Sequence, residues 1–321
     1  MKNNKLLALL LCSGIVLSGC SAKIQGTDKI ASIDGKDYIT DDLCEQLTST
    51  PTGNLALFSY VLDQLITTQF PASKSMKEEA TALINQTLSA YEAQYGEEAE
   101  SQLQTALASN GYASINDYKN ALINSFQYSA FIEEYVKDHY DEVFEDYYKM
   151  ANPKYISLIK IGMADPDKPT NEEKNKYNEV VKLLKSNKSF GEIAKDYSDD
   201  SSGTNKGELG IIDSTIQMNK YYGENVAKAV NDIKEGEVSK EIKEADGIYF
   251  VYCSSTDKAK MKKELETVDS TSPLLVYDSY MHYLAYKSYD IEYKDESIQS
   301  LIDEVLKESL NARDELRGGK S

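Results

Sequence analysis

Apolar residues along this chain follow three different spacings, and each spacing implies a different kind of element. Residues 6–16 form an apolar run of eleven, too short to cross the roughly 30 Å hydrocarbon layer of a bilayer as a helix. Further on, Leu55, Phe58, Val61, Leu62, Leu65 and Ile66 recur at intervals of three and four. That is the stripe of a helix with one face turned to a core, and Pro71 stops it. The same spacing predicts helices over residues 76–95 and 97–109, the latter ended by Asn110-Gly111. It also predicts one long helix over 115–149, marked by Tyr118, Leu122, Phe131, Phe144 and Tyr147, a span that suits a link between two domains.

After Asn152-Pro153 the punctuation changes. Tyr155-Ile156-Ser157-Leu158-Ile159-Lys160-Ile161 and Tyr249-Phe250-Val251-Tyr252-Cys253 are β-rich runs, with helical patterns near 171–186, 189–197 and 219–230 between them. Helices return after Thr256, interrupted by a strand-like Asp290-Ile291-Glu292-Tyr293 and closed by a helix over 297–316. A further strand-like stretch, residues 29–39, turns at Asp34-Gly35 before Thr40 caps the first helix. The pattern as a whole predicts an α+β protein, mostly helical at both ends with a small β-rich domain inserted.

Charge narrows the function. The 321 residues carry 35 Lys plus Arg against 53 Asp plus Glu, a formal net charge of −18, so a polyanion is repelled and nucleic acid is not an expected partner. Residues 21–152 hold 8 basic and 21 acidic residues, which gives the helical N-terminal part most of the excess and reads as a solubilising coat. Two histidines, His139 and His282, and four cysteines leave zinc, haem and iron–sulfur sites short of ligands, so no metal and no cofactor is expected.

The N-terminus reads as a transport signal. Lys2 and Lys5 precede the apolar run, and Leu17-Ser18-Gly19-Cys20 follows it. This resembles the lipobox of bacterial lipoproteins, which implies a signal peptide over 1–19, a lipidated Cys20 at the mature N-terminus and a tether over 20–28. Acyl chains on Cys20 would hold the protein at a membrane surface. Cys44 and Cys253 then remain, and their pairing as a disulfide is left open.

The middle segment carries the most specific motifs. Ser189-Phe190-Gly191-Glu192-Ile193-Ala194-Lys195-Asp196-Tyr197-Ser198-Asp199-Asp200-Ser201-Ser202 is followed by Lys206-Gly207-Glu208-Leu209-Gly210, then Gln217-Met218 and Tyr222, then Gly236-Glu237-Val238-Ser239, then Gly247-Ile248-Tyr249-Phe250-Val251. In this order and spacing they resemble parvulin-type (PpiC-like) peptidyl-prolyl cis-trans isomerases. The resemblance implies a small antiparallel sheet with surrounding helices over 153–255. It also implies an apolar cup for a proline ring, built from Leu209, Met218, Tyr222 and Val230. The family's first-strand histidine falls on Ser157, its last-strand histidine on Tyr249, and its acidic-or-cysteine position on Asp200. Ser157, Tyr249 and Asp200 are therefore the candidate catalytic residues, expected to form a hydroxyl and carboxylate cluster beneath the cup in place of an imidazole pair. Residues 162–168, Gly162-Met163-Ala164-Asp165-Pro166-Asp167-Lys168, are too acidic to read phosphate, so an unphosphorylated X–Pro segment is the expected client.

The order of parts is similar to PrsA-type foldases and, more distantly, SurA-type chaperones. That likeness implies a helical domain over 29–152 and a C-terminal segment over 256–321 that packs back on it, residues 290–293 pairing with the early strand near Ile30 to Ile33. The reading that follows is a membrane-anchored foldase on the extracytoplasmic face of a bacterial cell membrane, which binds unfolded secreted proteins and isomerises their X–Pro bonds. A homodimer is a further candidate assembly. One rival is a parvulin-fold chaperone that only binds clients, motivated by the missing histidines. A more remote rival is a solute-binding lipoprotein, which requires two α/β lobes.

Overall fold

The computed structural model describes residues 29–318. The signal segment, Cys20 and the tether lie outside the described residues. Two compact units are formed, one by residues up to Tyr135 together with those from Ser279 onward, the other by Val136–Asp278.

The first unit is helical apart from one hairpin. Strands β1 (Lys29–Ile33) and β2 (Lys36–Ile39) pair antiparallel across the Asp34-Gly35 turn and form a two-stranded sheet. The expected third partner is not there: residues 290–293 form no strand. A two-residue turn closes β1 on β2 with little loop entropy, whereas the Tyr293 hydroxyl is tied to that of Tyr286 on the helix Met281–Lys287. The helix Pro51–Gln69 starts where the Thr50 side chain accepts from the Gly53 N–H at 3.1 Å, an N-cap that satisfies one orphan donor. Its stripe is buried at Phe58, Leu62 and Ile66. The Phe58 ring stacks on Tyr283 at 5.0 Å and meets the edge of Tyr286 at 5.0 Å, so the C-terminal residues supply part of this core. Ala80, Ile84, Leu122 and Ile123 form a second apolar cluster between the helices Lys74–Tyr95 and Ile115–Asp138.

The long helix expected over 115–149 is two helices, Ile115–Asp138 and Tyr140–Ala151, separated by His139 at φ −117° and ψ 27°. The second one has its own tertiary partners. Its Val143, Phe144 and Tyr147 are buried, and the buried Tyr147 hydroxyl donates to Asp213 Oδ2 at 2.8 Å.

The middle unit is organised by a four-stranded antiparallel sheet, in the order β4-β3-β6-β5, with β3 at Lys154–Gly162, β4 at Glu208–Ile212, β5 at Ile242–Glu244 and β6 at Gly247–Ser255. Both faces of the central pair are covered, which is why β3 and β6 read as near-continuous apolar runs. One face packs Ile159, Ile161, Ile248 and Phe250 against Val180 of the helix Asn171–Leu184 and Phe190, Ile193 and Ala194 of the helix Phe190–Tyr197. The other packs Ile156, Leu158, Tyr249, Val251 and Cys253 against Met218, Val226, Val230 and Ile233. The helix expected over 219–230 is broken into Met218–Tyr222 and Glu224–Asp232 by Gly223. Its φ of +92° is left-handed, and a Cβ there would lie 2.2 Å from the Glu244 carboxyl carbon. Glu244 uses that space to accept from the backbone N–H groups of Asn225 and Val226, so a helix N-terminus is capped from β5. Neither unit is one of the two α/β lobes that a solute-binding lipoprotein requires. Cys44 is exposed and Cys253 buried, both as free thiols.

Candidate functional site

The Ser189 to Ser202 motif becomes a helix and a strap along β3. Ser189 and Glu192 form a capping box at the start of the helix Phe190–Tyr197. Past its end, Ser198 Oγ accepts from the Lys160 N–H at 3.1 Å, the Asp199 N–H donates to the Lys160 carbonyl at 2.8 Å, and Asp199 Oδ2 accepts from the Gly162 N–H at 2.9 Å. The strap thereby satisfies backbone groups of β3 and sets Asp200 beside the sheet. Asp200 Oδ1 caps the turn that follows by accepting from the Ser202 N–H at 2.9 Å. The chain then re-enters the sheet through Gly207, whose φ is +76° and whose carbonyl accepts from the Leu158 N–H at 2.8 Å. A Cβ at Gly207 would sit 2.4 Å from the Leu158 carbonyl oxygen, so this close approach requires glycine. It delivers Leu209 to the apolar face.

On that face the four residues expected to receive a proline come together. Met218 and Val230 are buried in one apolar cluster with Tyr249, and Leu209 and Tyr222 pack against it while remaining partly exposed. The Tyr222 and Tyr249 rings meet edge to face, 6.3 Å between centroids at 78°. Burial, with the charge of Asp200 and the neighbouring Tyr249 adding to it, pushes the Tyr222 phenol up to about 12. Its hydroxyl is therefore neutral at physiological pH, and it makes no hydrogen bond to another described residue.

The three candidate catalytic residues do not form the expected cluster. Ser157 is buried, but it stands opposite Tyr252, whose ring packs on the other face of the sheet. The pairing of β3 with β6 is unbroken from Ser157, opposite Tyr252, to Lys160, opposite Tyr249, so Ser157 is three residues from the one that faces Tyr249 and takes the other side of the sheet. Side chains alternate between faces, so a one-residue offset changes sides. The β3 residues on the Tyr249 face are Leu158 and Lys160, which stand opposite Val251 and Tyr249. Asp200 and Tyr249 both adjoin Tyr222 without hydrogen bonding to each other.

Two residues that the sequence reading does not single out for the site complete this wall. The Tyr249 hydroxyl donates to Asp246, lying 2.9 and 3.1 Å from its two carboxylate oxygens, and the Lys160 ammonium donates to the same carboxylate. Lys160 Nζ also lies 5.5 Å from the Tyr249 ring centroid, within reach of a cation–π attraction. Burial pushes the Tyr249 phenol up to about 12, with Lys160 pulling it down and Asp246 pushing it up. Burial opposes ionisation of Asp246, yet the bonds from Lys160 and Tyr249 outweigh it and hold this carboxyl below its usual range. A signal for the pair exists in the sequence: Lys160 breaks the apolar run of β3 at the parity of Ile156 and Leu158, and Asp246 precedes Gly247 at the turn into the last strand.

With this geometry in place, residues 158–255 match the family model of the rotamases, the PPIC-type PPIase domain. The middle unit thus contains a PPIC-type domain, a small antiparallel sheet wrapped by helices. Beyond it the chain is PrsA-like over nearly its whole length. It is 25% identical over 332 residues to the foldase protein PrsA of Staphylococcus aureus (strain Newman), covering 99% of this chain and 98% of that protein. Among solved structures, PrsA from Bacillus subtilis has 24% identity and a TM-score of 0.41, covering 87% of this chain and 99% of that one. PrsA from Streptococcus pneumoniae has 21% identity and a TM-score of 0.40, covering 86% and 99%.

Proposed function

We propose that this chain is a lipid-anchored extracytoplasmic foldase whose middle unit binds X–Pro segments of unfolded secreted proteins and speeds their cis/trans isomerisation. One observation carries the reading: Leu209, Met218, Tyr222, Val230 and Tyr249 share one apolar cluster on a PPIC-type domain, with Asp200 beside Tyr222. The anchor rests on Leu17-Ser18-Gly19-Cys20. No helix among the described residues is long and apolar enough to cross a membrane.

The reaction asks little of the site. Rotation about an X–Pro amide is slow, about tens to hundreds of seconds, because it breaks resonance worth a barrier of about 18–20 kcal/mol. No covalent bond changes. A surface that holds the pyrrolidine ring while a hydrogen-bond donor meets the twisted amide lowers the barrier by preferring the transition state over either planar ground state. Met218, Val230 and Leu209 supply the apolar contact. Tyr222 supplies both a ring and a neutral hydroxyl without a hydrogen-bonded partner among the described residues, which makes it the donor of this site. Asp200 adds negative charge beside that hydroxyl. Linking this site to the helical unit raises the effective concentration of a held client at the isomerase. A second copy of the chain is a candidate partner in that holding.

Refolding of a substrate limited by proline isomerisation, with and without the full chain, tests the reading. The slow phase is expected to accelerate, and Tyr222→Phe and Asp200→Ala are expected to reduce the effect. Binding of an X–Pro peptide with no acceleration in any arm would leave the binding-only chaperone, which the loss of both family histidines favours. Absence of both binding and acceleration sinks the foldase assignment.

A further inference from the structure

Lys160 and Asp246 lie outside the apolar cluster, yet both attach to one of its rings. They come from different strands of chain, Lys160 from β3 and Asp246 from the turn between β5 and β6, and they converge on Tyr249. The Asp246 carboxylate receives the Tyr249 hydroxyl at 2.9 and 3.1 Å and the Lys160 ammonium as well. The backbone fixes the carboxylate in turn, since the Asp246 carbonyl accepts from the Met163 N–H at 3.1 Å just past the end of β3. Lys160 Nζ lies 5.5 Å from the centroid of the Tyr249 ring, and the same ring meets Tyr222 edge to face. Tyr249 spends its own proton on Asp246, so it is held rather than offered, and Tyr222 keeps the unengaged hydroxyl. A hydroxyl with one donor and a ring with one edge-on neighbour has few orientations left once both are occupied.

We infer that Lys160 and Asp246 are positioning residues of the isomerase site, a clamp that fixes the Tyr249 ring and through it the placing of Tyr222 against a bound proline. The inference rests on the foldase reading above. The lysine side chain is 23% exposed and that of Asp246 59%, so the pair contributes little to folding and its variants remain folded. The clamp acts by geometry, and small displacements at a reacting centre are expensive: a shift of about 1 Å costs on the order of a hundredfold in rate.

The test uses the full chain and a short unphosphorylated Ala-Leu-Pro-Phe peptide, followed by NMR exchange between its cis and trans forms. Nuclear Overhauser contacts between the Tyr222 and Tyr249 rings are read on the same samples. Lys160→Met is expected to reduce kcat on the order of ten- to a hundredfold, to leave KM within about twofold, and to weaken the ring contact. Lys160→Arg, which can hold Asp246 through its fork, is expected to restore both. Asp246→Asn removes the charge that holds the lysine and is expected to act in the same direction as Lys160→Met, although the two move the charge beside Tyr249 in opposite senses. Wild-type turnover in Lys160→Met, or a loss of turnover with the ring contact intact, overturns the clamp while the foldase reading stands. Turnover changes of opposite sign in Lys160→Met and Asp246→Asn overturn it in favour of plain electrostatics. A wild-type chain that neither binds nor isomerises the peptide overturns both, and the wild-type arm alone reveals that case.

Discussion

The two faces of the four-stranded sheet are built from the same strands, β3 and β6, yet they are made for different ends. On one face Ile159, Ile161, Ile248 and Phe250 meet apolar residues of two helices that each present a capping box. On the other, Leu158 and Val251 meet covering helices that are broken at Gly223 and interleaved with Lys160, Tyr249 and Tyr222. The sealed face buries a largely apolar set of side chains and gains its stability from that burial. The other face tolerates polar side chains because each has a partner or a path to solvent, and a site needs both. Where two surfaces share a backbone, the less completely covered one is where binding chemistry can be placed without unmaking the fold.

Substitutions should separate the faces. Ile161 is fully buried on the sealed side, and Ile161→Ala should cost about 2–5 kcal/mol of stability, read as a lower urea midpoint, while the folded fraction keeps its affinity for an X–Pro peptide. An equal loss of affinity per folded molecule would break the distinction. Lys154 is the next largest effect. It is 6% exposed, and its ammonium donates to the carbonyls of Val230, Asn231 and Ile233 at 3.1, 2.6 and 2.9 Å, satisfying the C-terminal end of the helix Glu224–Asp232. Lys154→Met leaves those acceptors unpaired and should cost about 1–3 kcal/mol. Because that helix carries Val226 and Val230, peptide affinity should fall along with stability, which the Ile161 variant does not show. Tyr222→Ala reverses the ratio: the ring is only half-buried, so stability should change little while peptide affinity falls by about 1–2 kcal/mol, roughly fivefold to thirtyfold. Isothermal titration with the same peptide measures it.

What could be read from the sequence was what local patterns determine. The run from Ser189 to Tyr197 has its cap, its apolar stripe and its exit into Ser198-Asp199 within one short window, and it folds as read. Gly207 and the closing strand are legible for the same reason. The partner of Tyr249 is different: which β3 residue stands opposite it depends on the pairing of strands that lie far apart along the chain, and a single residue of offset moves a side chain to the other face. Lys160 and Asp246 meet across 86 positions: each is marked in its own neighbourhood, as a charge in an apolar strand and an acid at a turn, but the pairing of the two is not. The hairpin shows the opposite failure. A likeness between whole architectures pairs the distant residues 290–293 with β1, but β2 follows β1 after a two-residue turn and takes the pairing.

The smallest expected effect concerns acid, and it asks whether the polar wall of the open face adds any stability at all. Asp246 is held below its usual carboxyl range by Lys160 and Tyr249 against the opposition of burial. The folded protein thus binds a proton at Asp246 less readily than the unfolded chain does, so the contribution of this carboxylate is present above the ordinary carboxyl range and disappears as pH falls through the lowered value. Lys160 is shifted up despite burial, by Asp246 and Tyr249, so its contribution is present below the ordinary lysine value and disappears as pH rises through the raised one. The two therefore coincide across the neutral range. With Asp246 more than half exposed, screening limits the pair to less than about 1 kcal/mol. Urea midpoints at pH 7 and pH 3 for the wild type and Asp246→Asn check this: the variant should be slightly less stable at pH 7 and should lose less on acidification. The sealed face supplies the control, because Ile161→Ala has no ionisable group to lose and should show the wild-type difference between the two pH values. Equal acid sensitivity of Asp246→Asn and the wild type would mean that the wall orients Tyr249 without stabilising the sheet beneath it.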